Sequence, residues 1–347
     1  MTIKDIARLS GYAVGTVSRV LNDHPNVSDA ARERILAVVE EQNFKLNSNA
    51  KHLKQNHSSG VAIIIKGSGN MLFAAIVEHI QALIRDSGHP SMVYYLGEDG
   101  NEVEQALLVC RERRPLGILF LGSNLELFRA QFQDIQVPCV LVTNSAESLG
   151  FPNLSSVSTD DAQAARQAVL RLMDLGHREI GILGGFTDMP NAARTRLQGV
   201  QAAFRERGRT LDLDRHYEAT YFSMPCGYEA MLRLLDRVAG LTAVFAMSDV
   251  QAIGALRALR DRGLRVPEDI SVTGFDGIAL GEFVVPRLTT VRQDEQLLAR
   301  RSVALLLQHI QTGTGPVHEL VPYTFVPGES TGPAPAGAGR RSIQEGA

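Results

Sequence analysis

Residues 2–22 read TIKDIARLSGYAVGTVSRVLN, two short helical stretches broken at Gly11-Tyr12. Thr2-Ile3-Lys4-Asp5 forms a capping box: the Thr2 hydroxyl can accept from the Asp5 amide while the Asp5 carboxylate reaches back. Ile6 and Ala7 fall on one side of the helix that follows, with Leu9 close by. Helical spacing resumes at Thr16-Val17-Ser18-Arg19-Val20-Leu21-Asn22. Two short helices around a tight glycine-containing turn make the helix-turn-helix pattern. Such a unit cannot bury both apolar faces alone, so a third helix must cover it. Ser28 is placed as that helix's N-cap, and Ala31, Ile35, Val38 and Val39 repeat at helical spacing behind it.

Beyond the headpiece the composition turns polar, from Lys45 through Asn47, Ser48, Asn49, Lys51 and His52 to His57. Asn47 can cap a short helix here in which Ala50 and Leu53 are the apolar side chains. A helix this short is marginal in water and should form only when DNA and a partner subunit hold it. From Gly60 to about Val326, short β-branched runs alternate with amphipathic stretches. Val61-Ala62-Ile63-Ile64-Ile65 is a continuous apolar run, as a parallel strand buried on both faces requires. Strands are expected near 92–96, 117–121 and 139–142, and a second series near 180–183, 243–246 and 270–275. Helices near 192–207, 228–237 and 249–262 intervene. Two alternating series argue for two doubly wound α/β lobes with parallel sheets. The fold class is therefore an all-α helix-turn-helix headpiece joined to a two-lobed α/β core. The boundaries fall at 1–46 for the headpiece, 47–59 for the linker with its short helix, and 60–327 for the core. Residues 328–347, rich in Gly, Pro and Ala, read as a disordered tail.

The bulk properties agree with a globular protein. The chain has 347 residues, 44% hydrophobic, enough for two or three domains with real cores. Net charge is −3 overall, yet residues 1–57 carry eight Lys/Arg against six Asp/Glu. A mildly basic headpiece on an acidic body favours docking DNA through one end. Cys110, Cys139 and Cys226 show no C-x-x-C pairing and read as thiols in a reducing cytosol. No apolar segment follows Met1 and no run reaches membrane-spanning length, so the expected location is cytoplasmic, with no membrane partner.

Ligands on open α/β sheets bind beyond the carboxyl ends of the strands, which picks out Gly67–Phe73, Asn144, Gly184–Asp188, Ser248-Asp249 and Asp276 as one rim. Lys66-Gly67-Ser68-Gly69 lacks both the third glycine of a dinucleotide fingerprint and the Gly-Lys-Ser/Thr of a P-loop, and reads as a turn. The nine histidines show no metal-ligand spacing, and Ser248 has no Gly-x-Ser-x-Gly elbow. No enzyme, metal or cofactor is expected.

The run from Lys4-Asp5-Ile6-Ala7 through Thr16–Asn22 to Val27-Ser28, continued by Arg32-Glu33-Arg34-Ile35 and Asn47, resembles the lactose-repressor (LacI/GalR) family of bacterial transcription regulators. Gly176-His177-Arg178 before Gly181–Gly185, Arg196-Leu197-Gln198-Gly199, and Phe245–Asp249 with Gly254 match its recurrent motifs. So do Val266–Val272 through Gly274-Phe275-Asp276, and Leu288-Thr289-Thr290-Val291. The resemblance covers nearly the whole chain. It implies a periplasmic-binding-protein-like core with an effector held between the lobes, a homodimer on double-stranded operator DNA, and repression governed by a small molecule, most often a sugar. A solute-binding protein of the same core would need an export signal and would lack a headpiece.

The resemblance also assigns roles. In the headpiece Ala13, Val14, Gly15 and Thr16 face base edges, and Arg19 contacts phosphate or a base. Thr2, Ser18 and Asn22 complete that set. In the linker Asn47, Ala50, Lys51 and Leu53 form the hinge, with Leu53 the minor-groove wedge. Two departures stand out: the family has proline where Leu46 lies and arginine where Lys51 lies. The effector set is Phe73, Asp160, Arg196, Phe222, Asp249, Phe275 and Asp276. By residue type alone, Asp249 equally suits a helix N-cap and Asp276 a turn. Phe222 and Phe275 equally suit the core, Asp160 a structural position, and Arg196 the solvent face of its helix.

Overall fold

The computed structural model describes residues 3–21, 27–42, 60–67, 69–188 and 191–336. The chain divides into two compact units, residues 1–58 and 59–347.

The small unit is three helices: α1 (Ile3–Ser10), α2 (Val14–Leu21) and α3 (Asp29–Glu41). Ile6, Val17 and Ile35 are fully buried where the three meet, joined by Val20, Ala31 and Val38. Ser28 is the N-cap of α3, in extended conformation, but its side chain makes no capping hydrogen bond. Thr2 of the capping box, Asn22, and the hinge residues Asn47, Ala50, Lys51 and Leu53 lie outside the described residues.

The large unit opens with β1 (Val61–Lys66), α4 (Met71–Asp86), β2 (Ser91–Leu96), α5 (Glu102–Arg113), β3 (Gly117–Leu121), α6 (Leu125–Gln131), β4 (Cys139–Val142) and β5 (Leu154–Thr159). It continues through α7 (Asp161–Asp174), β6 (Ile180–Gly184), α8 (Ala192–Glu206), α9 (Leu213–His216), β7 (Tyr217–Ala219), α10 (Met224–Arg237), β8 (Ala243–Ala246), α11 (Asp249–Asp261), β9 (Ser271–Asp276) and β10 (Thr289–Gln293). Last come α12 (Glu295–Thr312), β11 (His318–Val321) and β12 (Tyr323–Val326). One six-stranded sheet runs β11-β5-β4-β3-β1-β2 and the other β12-β10-β9-β8-β6-β7. Every pairing is parallel except β10 with β12. Each sheet has an apolar cluster on both faces, which is why strands such as Ile63-Ile64-Ile65 are apolar at every position.

The chain passes between lobes three times: from β5 to α7, from β10 to α12, and from β11 to β12. Helix α12 thus packs on the first lobe although β10, just before it, belongs to the second.

Residues 328–336 overturn the expectation of a disordered tail. They form a strap along β9. The Val272 amide donates to the Ser330 carbonyl (2.7 Å), the Ser330 hydroxyl donates to the Val272 carbonyl (2.6 Å), and the Thr289 amide donates to Ser330 Oγ (2.8 Å). The Ala334 amide donates to the Leu175 carbonyl at 2.9 Å. These bonds satisfy β9 backbone groups at Val272, just before the pairing with β10 begins at Thr273, an ordering force that low hydrophobicity does not reveal. Residues 337–347 lie outside the described set.

Candidate functional site: a helix-turn-helix face and an interlobe cleft

In the small unit, Ala13 accepts from the Thr16 and Val17 amides and so starts α2. Ala13, Val14, Gly15 and Arg19 are exposed, while Thr16 and Ser18 are half-buried. Val14, 42% exposed, is a large apolar side chain offered to solvent at a helix N-terminus. A Cβ added at Gly15 would meet nothing within 4 Å, so packing inside the unit does not require glycine there. The face is therefore small and apolar, with Arg19 its one cation on α2.

In the large unit a cleft of about 580 Å³ opens between the carboxyl ends of the two sheets. Phe73, Arg196, Phe222 and Asp276, expected at the ligand, all line it. How Arg196 comes to be there is a matter of helix packing. A Cβ at Gly199 would lie 2.0 Å from the Ala162 carbonyl oxygen, so α8 can rest on α7 only because position 199 carries no side chain. That approach sets Arg196 against Asp161, Nε to Oδ1 at 2.7 Å, with both side chains buried. Arg196 Nη1 donates to the Met247 carbonyl and lies 3.6 Å from Asp276 Oδ1. Its guanidinium also stands 3.8 Å over the Phe275 ring. Arg196 is only 5% exposed, so the solvent-facing alternative is excluded.

Asp276 ends β9 with φ 119°, a backbone state that a side-chain-bearing residue keeps only when its surroundings enforce it. Asp249 supplies the enforcement. Its Oδ2 accepts from the Gly277 and Ile278 amides (2.7 and 2.8 Å) and its Oδ1 from the Thr290 hydroxyl (2.6 Å). Asp249 is fully buried and is absent from the cleft wall. It positions Asp276 and has no free oxygen facing a ligand. Burial pushes the Asp249 pKa up, reinforced by Asp276 and opposed by those hydrogen bonds. Two other expected ligand contacts are also elsewhere. Asp160 is exposed and caps α7 through the Gln163 amide (2.9 Å), and Phe275 is fully buried beneath Arg196.

Asp276 Oδ1 accepts from Gln293 Nε2 at 2.9 Å. Its pKa is pushed up to about 6, by burial first, against the opposing pull of Arg196, Gln293 and Asn70. Asp276 Oδ2, Gln293 Oε1 and Ser123 Oγ are buried with no hydrogen-bond partner, and all three residues line the cleft. A buried polar atom left unpaired costs about 1–3 kcal/mol. Asp276 and Gln293 on the second lobe and Ser123 on the first amount to a site built to receive hydroxyl groups from both sides of the cleft. Phe73, Phe186, Tyr221 and Phe222 add aromatic surface.

Sequence reading missed Glu98, Asp99, Ser123, Asn124, Tyr221 and Gln293, which line the same cleft. The carboxyl-end rule would have reached Glu98 and Asp99, which directly follow β2. Gln293 ends β10 and falls under the same rule, but Thr289–Gln293 is not among the expected strands.

Residues 2–47 match the model for "Bacterial regulatory proteins, lacI family", and residues 169–331 match a "Periplasmic binding protein-like domain". The chain is 36% identical over 317 residues to the HTH-type transcriptional regulator MalR of Clostridium butyricum, covering 90% of this chain and 93% of that protein. Among solved structures, a transcriptional regulator CelR–cellobiose complex is 30% identical, with TM-score 0.69 over 95% of this chain and 99% of that one. The lac repressor dimer bound to operator and the anti-inducer ONPF is 26% identical, with TM-score 0.69 over 96% and 99%.

Proposed function

The chain belongs to the lacI family of bacterial regulatory proteins and is a DNA-binding transcriptional regulator, and from that premise we propose that a carbohydrate held in the interlobe cleft sets its affinity for operator DNA. It acts as a homodimeric repressor. The observation that carries the effector reading is the trio of unpartnered buried atoms in the cleft, Asp276 Oδ2 and Gln293 Oε1 from the second lobe and Ser123 Oγ from the first. A polyol meets the two acceptors with its own hydroxyl donors and stacks its C–H faces on Phe73 and Phe222. Arg196 holds Asp276 in place and neutralises part of its charge.

On the DNA side, Ala13, Val14, Gly15 and Thr16 meet base edges in the major groove, with Thr2, Ser18, Arg19 and Asn22 on phosphate or neighbouring bases. Asn47, Ala50, Lys51 and Leu53 form a hinge whose leucine wedges into the minor groove. Working boundaries are a headpiece of 1–46, a linker of 47–59 and a core beginning at 60. Ligand changes operator affinity only by binding the two lobe arrangements unequally.

Selection of a binding site from random duplexes, followed by fluorescence anisotropy on that duplex against a sugar and nucleoside panel, tests the reading. A palindromic site and one compound that both raises the melting temperature and shifts operator affinity are expected. A stabilising compound that leaves operator affinity unchanged would overturn the coupling. A selected site without two-fold symmetry would overturn the dimer.

A further inference from the structure

The charge on the cleft wall is lopsided. Glu98, Asp99, Asp188 and Asp276 line it, while Lys66 and Arg196 are the only Lys or Arg among the described lining residues. Both cations are already engaged. Lys66 Nζ lies 3.3 Å from Glu102 Oε2, and Arg196 is bound to Asp161 with Asp276 also 3.6 Å away, so neither cation is free for a ligand. Arg194 shares a separate shallow groove with Asp188 and does not line the cleft. Glu98 and Asp99 have no salt bridge among the described residues, while Asp276 shares Arg196 with Asp161.

Their placement is fixed by the fold. Glu98 sits over the end of β1, its carboxylate 3.0 to 3.3 Å from where a Gly67 Cβ would stand. Burial raises its pKa, opposed by Lys66 and reinforced by Asp99, as befits a carboxylate without a full counter-charge. Asp99 Oδ1 accepts from the Tyr221 hydroxyl of the other lobe at 3.3 Å, and the Tyr221 ring meets Phe186 edge-on at 5.2 Å. An acidic ledge therefore faces an aromatic pair across the mouth. Deeper in, buried Asp276 presents Oδ2 without a hydrogen-bond partner. A phosphate or carboxylate brought here meets like charge and finds no free guanidinium or ammonium, a repulsive element of the kind that creates specificity. An ammonium group meets carboxylates and ring faces instead.

We propose that the cleft selects carbohydrates by charge, admitting neutral and aminated sugars and rejecting phosphorylated or acidic ones, with Glu98 and Asp99 as the residues that set the discrimination. This rests on the cleft being the effector site.

The test is calorimetric titration of the full-length protein with skeleton-matched probes: glucose, maltose, cellobiose and trehalose, each beside its 6-phosphate, together with glucosamine and its β-1,4 dimer. For whichever skeleton binds, the phosphate should bind about tenfold or more weakly. In Glu98→Gln/Asp99→Asn protein, checked for folding by its ligand-free melt, the neutral-to-phosphate affinity ratio should collapse toward one. Asp99→Asn alone should move it part of the way. A phosphorylated probe that binds as tightly as its neutral parent overturns the proposal, and so does an unchanged ratio in the double variant. Titrating the best probe into Phe222→Ala protein separates the two claims: undiminished binding there removes the ligand from the cleft whatever its charge preference. If no probe binds, the carbohydrate reading falls and this inference with it.

Discussion

Replacing Arg196 by alanine would remove a keystone of the large unit before it removed a ligand contact. The guanidinium links Asp161 at 2.7 Å, the Met247 carbonyl, and Asp276 at 3.6 Å, and it rests on the Phe275 ring. Its loss leaves two carboxylates buried without their counter-charge. Breaking a buried pair this way costs about 3–5 kcal/mol, a large share of a typical domain stability of about 5–15 kcal/mol. For a unit of this size that lowers the melting temperature by roughly 5 to 9 °C. The deficit carries a pH signature. Asp276 already has its pKa raised to about 6, and burial raises Asp161 as well. A carboxyl whose folded pKa lies above its unfolded value is penalised at neutral pH and relieved as pH falls through the folded value toward about 4. Without Arg196 both pKa values climb further, so the variant gains more on acidification than the parent does. Urea unfolding of both proteins at pH 7.5 and pH 5.0 measures this directly. The gap should be largest at pH 7.5 and shrink at pH 5.0, while contributions common to both proteins cancel. A gap below about 1 kcal/mol at pH 7.5, or one independent of pH, would refute the keystone argument. Loss of ligand response in Arg196→Ala therefore reports a damaged wall. Phe222→Ala is the cleaner probe of ligand contact.

Gly15→Ser should leave the melting temperature within about 1 °C, since the added atoms meet open space, and should alter the base preference in site selection; unfolding would contradict it. Deleting 337–347 should be silent, whereas deleting from Gly328 should cost several degrees by opening the Val272, Thr289 and His177 partners. His177 is buried, with Nε2 donating to the Gly332 carbonyl (3.0 Å) and Nδ1 accepting from Thr242 (3.1 Å), and burial lowers its pKa. Its contribution is complete above about pH 6.5 and fades as pH falls below that, so His177→Gln should flatten the acid limb of the stability profile. Residues 328–347 contain no leucine and cannot supply a coiled coil, so light scattering should give a dimer both with and without them.

The headpiece was legible because its helices are short and glycine-punctuated, and the first strands because β-branched runs such as Val61–Ile65 admit few other readings. The strap was not. Gly, Pro and Ala in 328–336 look disordered until β9 offers them hydrogen-bond partners from far away in sequence. The cleft was half legible for a related reason. A carboxylate at a helix start or strand end can cap, position or bind, and only the third dimension decides. Asp160 caps, Asp249 holds the turn behind Asp276, and Asp276 keeps one oxygen open. Arg196 read as solvent-facing on its own helix because the acids that bury it come from α7 and β9.

The three passages of chain between the lobes bear on how such a protein can acquire new specificities. The small unit is one uninterrupted segment, so a single recombination junction near residue 58 transplants it whole. Neither lobe is contiguous: each is written in two pieces of the chain, with α12 and β11 of the first lobe lying between β10 and β12 of the second. Exchanging one lobe would need several simultaneous junctions. Target sequence can thus be traded between relatives by gene shuffling, while ligand preference has to change residue by residue, in place.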